Sequence, residues 1–154
     1  SCGGCDTEHF LRVDPVSIML AQYGGKILVG RQHRWPVGFY SALAGFIEPG
    51  ETIEEAVARE LKEEAGITVH SIRYLLSQPW PFPSSLMIGC IALTDCDALT
   101  LDPTEIEDAI SVDAQAVLAA LLNLPDAPFV APPPRAVAWH LLRLWLDEQG
   151  VALD

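Results

Sequence analysis

Residues 45–67 read Gly45-Phe46-Ile47-Glu48-Pro49-Gly50-Glu51-Thr52-Ile53-Glu54-Glu55-Ala56-Val57-Ala58-Arg59-Glu60-Leu61-Lys62-Glu63-Glu64-Ala65-Gly66-Ile67. Pro49-Gly50 punctuates the chain, and Thr52 with Glu55 three residues later forms a capping box. Gly66 stops the segment, so a helix is predicted from about Thr52 to Ala65. At about 100° per residue, Ile53, Ala56, Val57, Glu63 and Glu64 fall within about 60° of Glu60. The three carboxylates therefore continue the apolar stripe of their own helix. Glu55, Arg59 and Lys62 fall on the opposite side, where solvent is expected. Acids at i, i+3 and i+4 usually make a solvated face. Aimed inward they repel one another, and they would take up protons or open the helix end unless something positive joined them. A hard divalent cation answers that need. Mg²⁺ keeps several waters and pairs carboxylates with substrate phosphates, and Mn²⁺ can replace it.

Outward from this helix the chain reads as one layered α/β domain. Val16 to Ala21 predicts a strand, Gly24-Gly25 a hairpin turn, and Lys26 to Gly30 its partner. Arg31 to Gly38 reads as a loop and Tyr40 to Ile47 as an apolar stretch. Further strands are expected at Ile67 to Val69, Ile72 to Ser77 and Leu86 to Leu93. Helices are expected near Ala114 to Leu122 and from about Arg135 to Gln149. Pro79-Trp80-Pro81-Phe82-Pro83 is expected to be irregular, since three prolines remove three donors.

The 154 residues carry 9 basic and 21 acidic side chains, a formal charge of −12. Such a chain repels nucleic-acid backbones and acidic membranes unless a cation intervenes. No apolar run approaches the roughly 20 residues of a membrane span. Four cysteines, Cys2, Cys5, Cys90 and Cys96, are too few and too uneven for a secreted disulfide scaffold and fit a reducing, cytoplasmic setting. Cys90 sits in a strand pattern and should be buried; Cys96 reads as a loop thiol. No initiator Met opens the chain, which suggests the remainder of something longer.

Gly45, Glu51, Arg59-Glu60-Leu61, Glu63-Glu64 and Gly66-Ile67 fill every fixed position of what resembles the Nudix box, over 23 residues. The resemblance implies a Nudix α/β/α sandwich with a mixed β-sheet, and hydrolysis of nucleoside diphosphates linked to another group. It implies metal held by Glu60, Glu63, Glu64, Glu105 and the backbone carbonyl of Ala44, with Arg59 orienting a catalytic glutamate. Glu63 is favoured as base. Phe46, directly after Gly45, is expected to stack on a substrate ring.

A second motif, Ser77-Gln78-Pro79-Trp80-Pro81-Phe82-Pro83-Ser84-Ser85-Leu86-Met87, fixes an amide and two aromatics in a stiff loop. Aromatic faces stack on nucleobases or nicotinamide rings, and Gln78 can hydrogen-bond an amide; the same rings could instead cap the core. With the box upstream, the motif resembles the signature of the NADH pyrophosphatase group of the Nudix family. That resemblance implies a substrate site from Gln78, Pro79, Trp80, Pro81, Phe82, Pro83, Ser84 and Ser85, with Phe10 nearby and Ala138, after Pro132-Pro133-Pro134, contributing its backbone. It makes Cys2-Gly3-Gly4-Cys5 half of a zinc ribbon, residues 1–12, ahead of a hydrolase domain, residues 13–154. Tetrahedral zinc needs four ligands, so Zn²⁺ is expected in the longer parent rather than firmly on Cys2 and Cys5 here.

The expected reaction is Mg²⁺- or Mn²⁺-dependent hydrolysis of NADH or NAD⁺ to NMNH or NMN and AMP, by a homodimer. The alternatives are ADP-ribose, NAD-capped RNA 5′ ends, or a sensor that binds such a nucleotide without cleaving it.

Overall fold

The computed structural model describes residues 3–153. Cys2, half of the cysteine pair, lies outside the described residues. Six strands form one mixed sheet: β1 (Asp14–Tyr23), β2 (Lys26–Arg31), β3 (Leu43–Phe46), β4 (Val69–Trp80), β5 (Ser85–Thr94) and β6 (Asp108–Asp113). Its order is β4-β5-β1-β2-β6, with β3 also paired to β1. Only β1 and β5 run parallel among these pairs. One edge of β1 is shared: Val16–Met19 pair with β3, and Gln22–Tyr23 with β2. That division sends β3 away from the hairpin and toward the helix α1 (Ile53–Ala65).

The strands alternate with period two, so each face of the sheet has its own core. Ile18, Leu20, Ile27, Val29 and Ile91 point to one side, against α2 (Ala114–Leu121) and α3 (Val137–Glu148). The fully buried Trp145 of α3 donates from its indole nitrogen to Gln22 Oε1 at 3.2 Å. Met19, Ala21, Leu28, Cys90 and Ala92 point to the other side, against Val57, Leu61 and Ala65 of α1. The result is the expected α/β/α sandwich. Among the described residues no helix is long and apolar enough to cross a membrane.

Two expectations need correction. The segments 67–69 and 72–77 are not two strands; β4 is continuous from Val69, with register shifts between His70 and Arg73 and between Tyr74 and Leu76. Those shifts, with Ser71 at a φ of 50°, break the alternation that a sequence pattern relies on. Nor is the whole proline segment irregular. Pro79 and Trp80 belong to β4, opposite Leu86 and Ser85. Because β4 is an outer strand, a missing donor there need not interrupt a ladder on both sides.

Candidate active site

Helix α1 carries the acids. Thr52 caps it, its side chain accepting from Glu55 N at 3.1 Å, and Gly66 ends it in the left-handed region at φ 71°. Lys62 in the last turn suits the helix dipole, whereas Glu63 and Glu64 there oppose it. These two carboxylates cost the helix stability locally, so their placement asks for a reason outside it.

A cleft of about 520 Å³ lies between β3, the C-terminal half of α1 and the segment 102–105. The predicted inward trio is graded rather than uniform. Glu64 is buried, and its Oε2 has no hydrogen-bond partner. Burial pushes the Glu64 carboxyl up to about 8, helped by the negative charges of Glu60, Glu105 and Asp102. Glu60 lies flat against Gly45: a Cβ on Gly45 would stand 2.1 Å from the Glu60 carboxyl carbon. That contact is the physical reason the box needs glycine there. Glu63 is exposed, with 60% of its side chain accessible, and lines the rim.

Arg59 does not point to solvent as the helical wheel suggests. A wheel places Cβ, and this long side chain curls back over the cleft wall. Its guanidinium grips Glu51 through Nε at 2.6 Å and Nη2 at 2.8 Å. Nη1 donates to Glu60 at 2.7 Å and to Glu63 at 3.3 Å, and Nη2 to the Phe46 carbonyl at 3.0 Å. Arg59 holds the Glu51 carboxyl down to about 2, and Glu51 in turn raises the guanidinium further. One cation thus contacts three acids of the box and the strand end beside Phe46.

Glu105 lines the same cleft, as expected, and so does Asp102, which the sequence analysis did not single out. The Asp102 backbone N–H donates to the Glu64 carbonyl at 2.9 Å, which ties this segment to the end of α1. Its carboxylate accepts from Thr104 N and Oγ1, which keep it below the usual range. Ala44 lines the cleft wall beside Gly45, and Phe46, largely exposed, stands at its mouth.

Among the described residues no three His, Cys, Asp or Glu side chains are already gathered closely enough to hold one ion. The donor set nonetheless fits a hard cation. Glu64 offers an unpaired buried oxygen, and Glu60, Glu105 and Asp102 crowd negative charge on it. On the cysteine side of the expectation, Cys5 is exposed in a turn at the chain start, and Cys2 lies outside the described residues.

A second, apolar cavity of about 290 Å³ lies where β1, β4, β5 and α3 meet. Gln78, Trp80 and Ala138 of the predicted substrate site line it. Gln78 donates through Nε2 to the Arg135 carbonyl at 3.0 Å, while its buried Oε1 has no partner. Trp35 and Phe39 complete the wall as an edge-to-face pair with centroids 5.2 Å apart. They were missed because Trp35 lies in a stretch that reads only as a polar loop and Phe39 falls between that loop and the apolar stretch after it.

Met87, the last residue of the motif, lines the cavity too, and the others frame it. Pro79 pairs with Leu86, and Pro81 to Ser84 make the turn, with Phe82 exposed and edge-on to Trp80. Phe82–Pro83 is a cis peptide. Ser84 donates to Asp14 Oδ2, and Ser85 starts β5. Phe10 is 83% exposed in the segment before β1 and lines none of the cavities described.

A third cavity of about 150 Å³ lies between the two and shares wall residues with both. It shares Ala44 and Glu64 with the acidic cleft, and Ile18, Trp35 and Ser41 with the apolar one. An anionic group at the acids and a planar ring among the aromatics can therefore belong to one ligand.

The NUDIX domain family matches residues 11–132. The chain is 47% identical over 148 residues to the NAD-capped RNA hydrolase NUDT12 of Homo sapiens, covering 95% of this chain and 32% of that protein. It is 41% identical over 142 residues to the NAD-capped RNA hydrolase NudC of Chromobacterium violaceum, covering 92% and 49%. It thus spans about a third to a half of these relatives. A NUDIX hydrolase structure from Nitrosomonas europaea superposes with a TM-score of 0.73 at 22% identity, covering 97% of this chain and 78% of that one. With a complete box on a capped helix, its glutamates and arginine gathered at one cleft, and a family match over most of its length, the chain belongs to the Nudix hydrolases.

Proposed function

We propose that this chain hydrolyses the diphosphate of an NAD group, with an NAD-capped RNA 5′ end as its substrate. The carrying observation is the row of neighbouring cavities from the acidic cleft to the aromatic-lined one, which share wall residues and suit a diphosphate at one end and a ring at the other. The names of the human and bacterial relatives favour the capped RNA over free NADH, which the same cavities would also accept. The chain's charge of −12 disfavours contacts along a long RNA, so recognition rests on the cap.

Nudix hydrolases generally use Mg²⁺ or Mn²⁺. Glu60, Glu64 and Glu105 would hold it, with Glu63 and Ala44 at the edge of the set. Bound there, it would offset the diphosphate's charge and acidify a water. The protein's own part is positional. Arg59 fixes Glu60 and Glu51, and Gly45 leaves room for the Glu60 carboxylate. Glu63, exposed at the rim, accepts the proton of the attacking water. Trp35, Phe39, Trp80 and Ala138 hold the ring, and Gln78 Oε1 accepts from an amide or amine on it. Water adds to one phosphorus and the bridging oxygen leaves with the other. The products are nicotinamide mononucleotide and RNA with a 5′-monophosphate.

The test is competition. An NAD-capped oligonucleotide and free NADH, mixed at equal concentration with Mn²⁺, report the ratio of their kcat/KM values. Faster release of the 5′-monophosphate RNA supports the capped substrate. Faster release of AMP supports NADH, and stoichiometric binding of both without any product supports a sensor.

A further inference from the structure

Arg31, the last residue of β2, is buried to 8% exposure although it is a cation at the start of a surface loop. Four donor contacts account for its guanidinium. Nε pairs with Glu107. Nη1 donates to the Pro36 carbonyl at 2.6 Å and to the Phe39 carbonyl at 3.4 Å, and Nη2 to the Trp35 carbonyl at 3.1 Å. Three of the four acceptors are thus backbone carbonyls of one short loop, residues 32–39. The planar fork reaches them together with Glu107; a lysine ammonium, a single point of charge, has no such spread of donors.

The same loop carries Trp35 and Phe39, the edge-to-face pair that walls the apolar cavity. Its other anchors lead to the segment bearing Glu105. His33 Nε2 lies 2.7 Å from the Pro103 carbonyl, and Glu107 N donates to the Arg31 carbonyl at 2.9 Å. Arg31 therefore stands behind the aromatic wall, lining none of the three cavities described, and fixes the backbone from which both rings project.

We infer that Arg31 is a positioning residue that sets the ring-binding end of the substrate site by holding the Trp35–Phe39 loop in place. This inference rests on the proposed role of the apolar cavity as the ring subsite. Because Arg31 acts on binding and not on the reacting phosphorus, its loss raises KM and leaves kcat nearly intact.

NAD⁺ is the probe, hydrolysed with Mn²⁺ by the wild type, Arg31→Lys, Trp35→Ala and the double variant. Arg31→Lys is expected to raise KM about tenfold or more while kcat changes less than about threefold. Trp35→Ala shows the same split, and the double variant is no worse than the poorer single, because both act through one wall. Hydrogen exchange in Arg31→Lys rises across residues 32–39 and stays unchanged in α1. Additive effects, a fall in kcat at unchanged KM, or a lysine variant indistinguishable from the wild type would overturn the inference. Should Arg31→Lys not fold, Glu107→Gln loosens the same anchor, and an unchanged KM there overturns it equally. A wild-type chain inert toward both NAD⁺ and an NAD-capped oligonucleotide defeats the substrate reading instead, and loop exchange still decides what Arg31 holds.

Discussion

Neutralising Glu64 should make the metal-free protein more stable while removing its activity. The carboxyl stands near 8 in the folded chain against 4.5 for an ordinary glutamate, first because it is buried and then because Glu60, Glu105 and Asp102 face it. The native state therefore binds more protons than the unfolded chain between those two values. Stability drains away as pH rises through that window and is fully present only below it. At about 1.36 kcal/mol per pKa unit, the upper limit of this penalty above pH 8 is about 5 kcal/mol. Relaxation and water at the cleft wall reduce it, and about 2 kcal/mol is the expected size. Glu64→Gln has nothing to ionise and escapes the penalty. At pH 8, in chelator, its Tm should exceed that of the wild type by about 4–8 °C, and the gap should narrow as pH falls to 5. Mn²⁺ should raise the wild-type Tm at pH 8 and raise that of the variant far less. Thermal melts of both proteins from pH 5 to pH 9 decide the matter. Superimposable curves would refute the claim that Glu64 is a buried, crowded acid awaiting a cation.

Other perturbations separate binding from chemistry. In saturating Mn²⁺, Glu64→Gln should lower kcat by at least about 100-fold, and steady-state rates near those of the wild type would remove this carboxylate from the reaction. Arg59→Ala frees Glu51 and Glu60 at once; kcat should fall about 100-fold, with Arg59→Lys recovering only part because it cannot grip Glu51 bidentately. Gly45→Ala places a methyl group where the Glu60 carboxylate lies, so turnover should drop about tenfold with little change in Tm. Ala138→Leu fills part of the apolar cavity and should raise KM about tenfold at nearly constant kcat, as read by initial rates on NAD-capped substrate.

Much of this architecture was legible because its signals are local. Thr52 and Gly66 delimit α1 to within a residue, and Val16 to Ala21 with Lys26 to Gly30 announce the hairpin through alternation and two glycines. The gathering of Glu60, Glu64 and Glu105 at one cleft follows from helical spacing together with the family resemblance. What escaped depends on contacts distant in sequence or on the far ends of long side chains. Arg59 was assigned to solvent by its Cβ direction, yet its tip reaches Glu51 eight residues earlier. Glu63 sits at the margin of the inward stripe, and its carboxylate turns to the rim beside Arg59. β6, Asp108–Asp113, is a short strand between acidic residues, and only its pairing with β2 declares it. Trp35 and Phe39 gain meaning from Arg31, whose burial no local pattern signals.

The most direct test follows the bond itself. An oligonucleotide with a 5′-NAD cap is incubated with the chain in ¹⁸O-labelled water, with Mn²⁺ or with chelator, and the products are weighed by mass spectrometry. Nicotinamide mononucleotide and 5′-monophosphate RNA should form in equal amounts, one of them carrying a single ¹⁸O, and only when the metal is present. An intact cap in Mn²⁺, or cleavage that proceeds equally in chelator, would contradict the account.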